Sequence, residues 1–281
     1  MNKSNKNKVI ASGLKKIRMG IRQIVLLFID SYELILGKRD KLTPPKRLVN
    51  INEGDAKKIG EEFLQYFIEK GGLKNTDSIL DIGCGFGRMA RPLTSYLSDQ
   101  GKYEGFDITP KSINWCAKNF TPKFPNFHFQ IFDVYNARYN PKGNYKASEY
   151  KFPFENNSFD FILLTSVFTH MLPQDIENYT SEISRMLKTG GRCFITYFIL
   201  NNESLSQIDK KESVFSFQHH FEKYRIEDEA KPEYAVAYEE KNIRELYNRH
   251  GITIIEPIYY GNWSGRNDFL SFQDIIIGIK N

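Results

Sequence analysis

Three aspartates and a run of glycines make up the part of this chain best suited to chemistry. Asp81, Asp107 and Asp133 fall within or at the ends of three short apolar runs, Ser78 to Gly83, Tyr103 to Asp107 and Phe127 to Phe132. The first run passes straight into Gly83-Cys84-Gly85-Phe86-Gly87-Arg88. Glycine has no Cβ and tolerates positive φ, so such a turn lets a ligand approach the backbone closely. Carboxylates accept hydrogen bonds from the hydroxyl and amine donors of such a ligand. The set describes a ligand site lying across the ends of three successive strands. A dinucleotide fingerprint would place its third glycine where Arg88 stands, which turns the reading away from phosphate-cradling sites.

The elements needed to position these groups can be read from periodicity. A helix with Ile59, Phe63, Leu64 and Phe67 on one side stops at Gly71-Gly72, and the first strand follows. A helix carrying Met89, Leu93 and Leu97 leads to the second strand. Thr109-Pro110 then opens another helix, with Thr109 as N-cap and Pro110 at the first position. Phe159 to Thr165 is a fourth strand. Pro173 starts a helix with Ile176, Tyr179, Ile183 and Leu187 on one face, closed by Gly190, and Arg192 to Phe198 is a fifth strand. Strands alternating with helices predict a parallel sheet covered on both faces. A helix with Ile243, Leu246 and Tyr247 ends at Gly251. The runs Ile252 to Tyr260 and Phe269 to Ile279 are then too close for a crossover, so they should pair antiparallel. The expected fold is an α/β three-layer sandwich with a seven-stranded, mostly parallel sheet and an antiparallel last strand. Two insertions, Asn136 to Pro153 and Leu200 to Tyr238, are placed where acceptor-site caps are built.

In this frame the string ILDIGCGFGR resembles the first motif of class I S-adenosylmethionine-dependent methyltransferases. GFDIT resembles their second motif and IFDV their third. FPFENNSFDFILLTSVFTHM and LKTGGRCFITYF resemble the run through their fourth and fifth strands, so the resemblance covers residues 55–200. It implies S-adenosyl-L-methionine as cofactor. The implied contacts are Asp81, Gly83, Cys84, Gly85, Gly87, Arg88, Asp107, Ile108, Asp133, Val134 and Thr165. Asp107 would take the ribose hydroxyls and Asp133 the adenine amine.

The acceptor side follows the fourth strand, at Thr165 to His170. The Asn/Asp-Pro-Pro-aromatic string of nucleobase amino-methyltransferases and the Pro-Cys of cytosine C5 enzymes are absent here. That disfavours a nucleic-acid substrate and leaves hydroxyl, carboxyl or amine groups of smaller molecules, with a hydroxyl of a sugar, lipid-linked glycan or secondary metabolite favoured. His170 is the candidate general base, because imidazole titrates near neutral pH. A structural histidine at a strand-to-helix turn is the competing reading. His219 and His220, set among Phe215, Phe217, Phe221 and Tyr224, read either as pocket lining or as an aromatic lid core. Trp263 and Arg266 are weaker candidates. A nicotinamide oxidoreductase, a non-catalytic cofactor-binding module and an RNA methyltransferase recruiting through a basic tail stay open as alternatives.

Bulk properties bound these readings. With 281 residues, 41% hydrophobic and 26% charged, the chain can bury a substantial core. Cys84, Cys116 and Cys193 lie far apart, so neither a metal site nor a disulfide framework is expected. Of the net charge of +5, residues 1–29 contribute +7 and the rest −2, which makes nucleic acid an unexpected partner for the body. In residues 1–45, Leu14, Ile17, Ile21, Ile24, Phe28 and Ile35 recur at helical steps between basic residues. Three roles remain open for this amphipathic helix: packing on its own domain, lying on an anionic membrane surface, or joining a partner helix. Residues 46–281 are expected to form the catalytic domain of a cytoplasmic protein, with the inner membrane surface as the second placement.

Overall fold

The computed structural model describes residue 22 and residues 24–37, 40–49 and 56–281. Leu14, Ile17 and Ile21 of the N-terminal pattern lie outside the described residues. The chain divides into two units, Met1–Ile59 and Gly60–Asn281. In the first, α1 (residues 24–35) is a helix whose acids are taken up locally. Asp30 is buried and accepts from the backbone N–H of Lys46 (2.7 Å) and from Arg47 Nη1 (3.1 Å). Glu33 pairs with Lys46.

From residue 56 the chain order is α2 (Ala56–Glu69), β1 (Ser78–Ile82), α3 (Ala90–Tyr96), β2 (Lys102–Asp107), α4 (Pro110–Asn119), β3 (Phe127–Ile131), β4 (Phe159–Leu164), α5 (Pro173–Met186) and β5 (Leu187–Tyr197). There follow β6 (Ile199–Leu200), α6 (Asn202–Asp209), β7 (His219–His220), β8 (Tyr224–Ile226), β9 (Val236–Glu239), α7 (Glu240–Arg249), β10 (Ile252–Tyr259) and β11 (Asp274–Lys280). The main sheet has seven strands in the order β10-β11-β5-β4-β1-β2-β3. β11 alone runs against its neighbours, antiparallel to both β5 and β10. This is the expected α/β sandwich.

Alternation along the central strands divides the core into two layers. Leu80, Ile82, Ile162, Leu164 and Ile195 join α5 and α7 in one cluster through Ile176, Ile183, Ile243 and Leu246. On the opposite face Phe67 of α2 meets Phe194 edge-on at 4.8 Å and Phe161 at 5.8 Å. Each buried phenylalanine contributes about 1.5–3 kcal/mol. Strand register then sets the site. Asp81 pairs with Gly105 and Asp107 with Ile131, so the carboxyl ends of β1, β2 and β3 emerge side by side. From β1 the chain adds β2 and β3 on one side and β4 on the other, so this edge is a topological switch point.

Four local expectations differ from the structure. α5 stops at Met186, and Leu187 turns extended. Gly190 (φ +77°) sits instead within β5, where the pairing with β4 shifts register. Thr109 precedes α4, but its hydroxyl donates to Asp107 rather than capping the helix. β11 begins only at Asp274, because the preceding segment folds over a helical turn, with Trp263 N–H donating to the Phe272 carbonyl at 3.0 Å. The Leu200 to Tyr238 insertion is no plain excursion: with Ile199 it contributes a four-stranded sheet, β6-β9-β8-β7.

Candidate active site

The glycine turn is anchored through its backbone. Gly83 and Cys84 N–H both donate to the Phe106 carbonyl, at 2.9 and 3.0 Å, and Gly85 N–H donates to Asp107 Oδ2 at 2.9 Å. Gly83 has φ +79°, and a Cβ there would lie 2.5 Å from Val167 Cγ2, so this position requires glycine. Gly85 also has positive φ, +53°, yet a Cβ on it would meet nothing within 4 Å. Packing leaves that space open, and the turn keeps it clear. We expect Gly85→Ala to cost only about 1–2 kcal/mol, for the left-handed backbone, while cofactor affinity falls at least tenfold. Thermal melts alongside calorimetric titration of the same variant would check both halves; unchanged affinity would remove Gly85 from the site.

Asp107 is buried at 9% exposure. Its Oδ1 accepts from the Thr109 N–H (2.8 Å) and from the Thr109 hydroxyl. With Gly85 on Oδ2, three of roughly four acceptor positions of a carboxylate are filled. One position on Oδ2 is open, and rotation of the Thr109 hydroxyl releases another.

Asp81 lies beneath the turn, fully buried. Tyr103 donates to its Oδ2 at 2.6 Å, while Oδ1 has no hydrogen-bond partner. Burial, reinforced by the nearby charge of Asp107, raises its carboxyl to about 7 against the pull of the Tyr103 hydrogen bond. A buried acceptor left unpaired next to a ligand turn points to a missing cationic or N–H donor. Cys84 lies in the turn and Cys116 packs beside it, and burial pushes both thiols up, toward the un-ionised form.

Asp133 is exposed and is held by the first insertion, with the Asn144 side-chain amide donating to its Oδ2. Val134 is buried in the core and bridges to Tyr145. Ile108 is half-buried, packed at the edge of the core. Thr165 is buried at the end of β4.

Beyond it, Ser166 adopts φ +61°. Its N–H donates to Thr196 Oγ1 (2.8 Å) and its hydroxyl to Gln273 Oε1 (2.9 Å); Thr196 also donates to Gln273 Oε1 (2.8 Å). These bonds hold the strained residue and the loop after it, which brings Val167 against Gly83. His170 closes the loop in a short helical turn, Phe168–His170. Its Nδ1 lies 3.1 Å from the Glu233 carbonyl, and its ring meets Tyr139 edge-on at 5.8 Å. Both insertions therefore converge on this one side chain. A carbonyl can only accept, so in the neutral ring Nδ1 carries the proton and Nε2 the lone pair. Burial lowers the imidazole below its ordinary value, against the upward pull of that hydrogen bond.

Comparison with known proteins adds a family to this geometry. Residues 80–195 match the family model described as a methyltransferase domain. Over that stretch, from β1 through β5, the chain carries a methyltransferase domain, and its motifs resemble those of class I S-adenosylmethionine-dependent members. A curated relative, the sterol 24-C-methyltransferase of Schizosaccharomyces pombe, is 26% identical over 162 residues, which is 55% of this chain and 38% of that protein. The chain thus spans little more than a third of that relative's length. Among solved structures, a methyltransferase from Methanosarcina mazei is similar in fold at 22% identity (TM-score 0.51, 76% of this chain and 96% of that one). The magnesium protoporphyrin IX methyltransferase of Synechocystis PCC 6803, solved with S-adenosylhomocysteine bound, has a TM-score of 0.52 at 14% identity, covering 92% of this chain and all of that one.

The methyltransferase domain fits its cofactor on its own observations: the orphaned Asp81 Oδ1, the open space at Gly85 and the acceptor capacity of Asp107. Several participants escaped the sequence reading. Tyr103, Asn144, Thr196 and Gln273 reach the site only through tertiary contacts, and a single polar residue on a strand or in a loop carries no local sign of such a role. Of the weaker candidates, Trp263 is wholly buried, its indole N–H donating to Asp274 at 2.7 Å. Phe217 lies in the same aromatic cluster as Trp263, while Phe221 stacks on Tyr224 at 4.6 Å and stays partly exposed.

Proposed function

We propose that the protein transfers a methyl group from S-adenosylmethionine to a hydroxyl of a small acceptor, namely a sugar, a lipid-linked glycan or a secondary metabolite. The observation that carries this is the meeting of both insertions at His170, on the loop that packs against the glycine turn. Asp107 binds the ribose diol, Asp133 accepts from the adenine amine, and Asp81 with the Gly83 backbone orients the amino-acid end. The cofactor supplies a methyl group already activated on its sulfonium. What remains for the protein is to align an acceptor oxygen with that bond and to remove its proton. Alignment of this kind supplies up to about 7–11 kcal/mol, and His170 Nε2 takes the proton. The test is mass spectrometry of extracts from cells lacking the gene. A metabolite lighter by one methylene, which the purified protein converts with S-adenosylmethionine, supports the reading. An unchanged metabolite profile, together with no product from a hydroxyl-acceptor panel, refutes it.

A second reading concerns the first unit. Among the described residues no helix is long and apolar enough to cross a membrane. α1 nevertheless exposes Phe28 at 71% and Ile35 at 82%, and Asp30 and Glu33 are both paired with basic residues. Residues 1–59 hold fourteen lysines and arginines against five acids, net +9, leaving −4 of the chain's +5 for the rest. An apolar helix in a basic segment suits an anionic bilayer surface, where two weak signals add. We expect the full chain to pellet with phosphatidylglycerol-containing vesicles and not with pure phosphatidylcholine. Phe28→Glu with Ile35→Glu should release it, and equal pelleting of the two proteins would end the idea.

A further inference from the structure

A cavity of about 540 Å³ opens between the end of β6, the start of α7 and the β10–β11 connection, and its walls include none of the glycine turn, Asp107, Asp133 or His170. Parallel pairing of β6 with β9 sets Leu200 opposite Glu239, so the next residues, Asn201 and Glu240, enter the cavity together. Asn201 Nδ2 donates to Glu240 Oε2 at 3.3 Å, and the Tyr260 hydroxyl donates to the same oxygen at 2.8 Å. Asp274 ties the two walls to the main sheet: it accepts from Ile199 N–H on one side and from Gly261 N–H (2.6 Å) and Trp263 on the other. Asp274 directly follows Gln273, which holds the Ser166 turn.

Arg266 is the central group. Its side chain is 8% exposed, and its guanidinium lies 4.4 Å from the centre of the Tyr260 ring. Nη2 donates to Asn201 Oδ1 (2.8 Å) and Nη1 pairs with Glu203, a residue itself 57% exposed. Nε has no partner at all. A buried cation with one solvent-facing counter-ion and an unsatisfied N–H is a poor device for stability, which an apolar side chain would serve better. It is a good device for recognition.

The charges select the ligand. Three glutamates and two cations line the space, so the lining is net negative and does not favour a phosphate or carboxylate. The lining holds both donors and acceptors, and a hydroxyl is both at once. Leu200, Leu205 and Tyr260 add apolar surface for C–H faces. The volume lies within the roughly 300–1,000 Å³ of small-molecule sites. We infer that this cavity is a subsite for a neutral polyol, one pyranose ring of a glycan or glycoside. This rests on the reading of the acceptor as a hydroxylated small molecule, and names where part of it is held.

The test is calorimetric titration of the full chain, saturated with S-adenosylhomocysteine, with methyl α-D-glucopyranoside, methyl α-L-rhamnopyranoside and inorganic phosphate. The expected result is binding of at least one glycoside and not of phosphate. Arg266→Ala and Asn202→Trp, the latter filling the cavity from an exposed position, should each weaken glycoside binding at least about tenfold. S-adenosylhomocysteine affinity should stay within about twofold of wild type, since neither residue belongs to its site. If Arg266→Ala melts, Asn202→Trp decides alone. No glycoside binding, binding indifferent to both variants, or phosphate binding lost in the variants overturns the inference. Failure of the wild-type chain to bind S-adenosylhomocysteine would count against the proposed function, and titration without it would then judge the cavity.

Discussion

Replacing Asp107 by alanine should abolish cofactor binding while leaving most of the fold intact. The carboxylate has two tasks, holding Gly85 N–H at 2.9 Å and offering oxygens to a ribose diol. Two charge-assisted hydrogen bonds at about 1.5–3 kcal/mol each correspond to a loss of roughly 10²–10⁴ in affinity for S-adenosylhomocysteine. The Gly85 and Thr109 N–H groups lose their acceptor, adding about 1–3 kcal/mol of destabilisation unless water replaces it. Asp107→Asn keeps the shape and one acceptor oxygen, but its amide nitrogen must face either the Gly85 or the Thr109 N–H. It should therefore also lose about 1–3 kcal/mol of stability, and bind at least tenfold more weakly. Calorimetry and thermal melts on both variants check this. Affinity within threefold of wild type for Asp107→Ala would remove the ribose contact from the account.

Replacing His170 by alanine should lower turnover by about 10²–10⁴, the usual worth of a general base, with S-adenosylhomocysteine affinity unchanged. The pH profile separates a base from a scaffold. Burial lowers the imidazole from its ordinary value near 6.5, so the neutral, proton-accepting ring persists to lower pH than a free histidine. The acid limb of kcat/KM should therefore fall below pH 6.5 and disappear in the variant. A structural histidine would instead lower stability, through the lost Glu233 and Tyr139 contacts, and leave the shape of the profile alone. Unchanged turnover in His170→Ala would sink the role.

How much of this was legible in the sequence depended on how local each requirement is. The turn from Gly83 to Gly87 was readable because backbone conformation demands glycine wherever the rest of the chain lies. Asp107 and Asp133 were readable because an apolar run ending in an acid marks where a buried strand meets the edge. The seven-stranded sheet followed from alternating periodicities, and its reversed last strand from a connection too short for a crossover. The second sheet was not readable, because its strands are two to four residues long and too short to show a period. Gln273 was invisible for a different reason. It reaches Ser166 across 107 residues of chain, and only the pairing of β11 with β5 makes them neighbours. Arg266 was only a weak candidate in a polar loop, and only the fold reveals its burial. Thr109 shows the converse failure: a correct cap position in sequence, whose hydroxyl the nearby carboxylate captures instead.

The most direct measurement is a paired titration of the full chain with S-adenosylhomocysteine and with NAD⁺ at neutral pH. The expected result is saturable, one-to-one binding of S-adenosylhomocysteine that Asp107→Ala removes, and no binding of NAD⁺. Binding of NAD⁺ in preference to S-adenosylhomocysteine, or of neither, would contradict it.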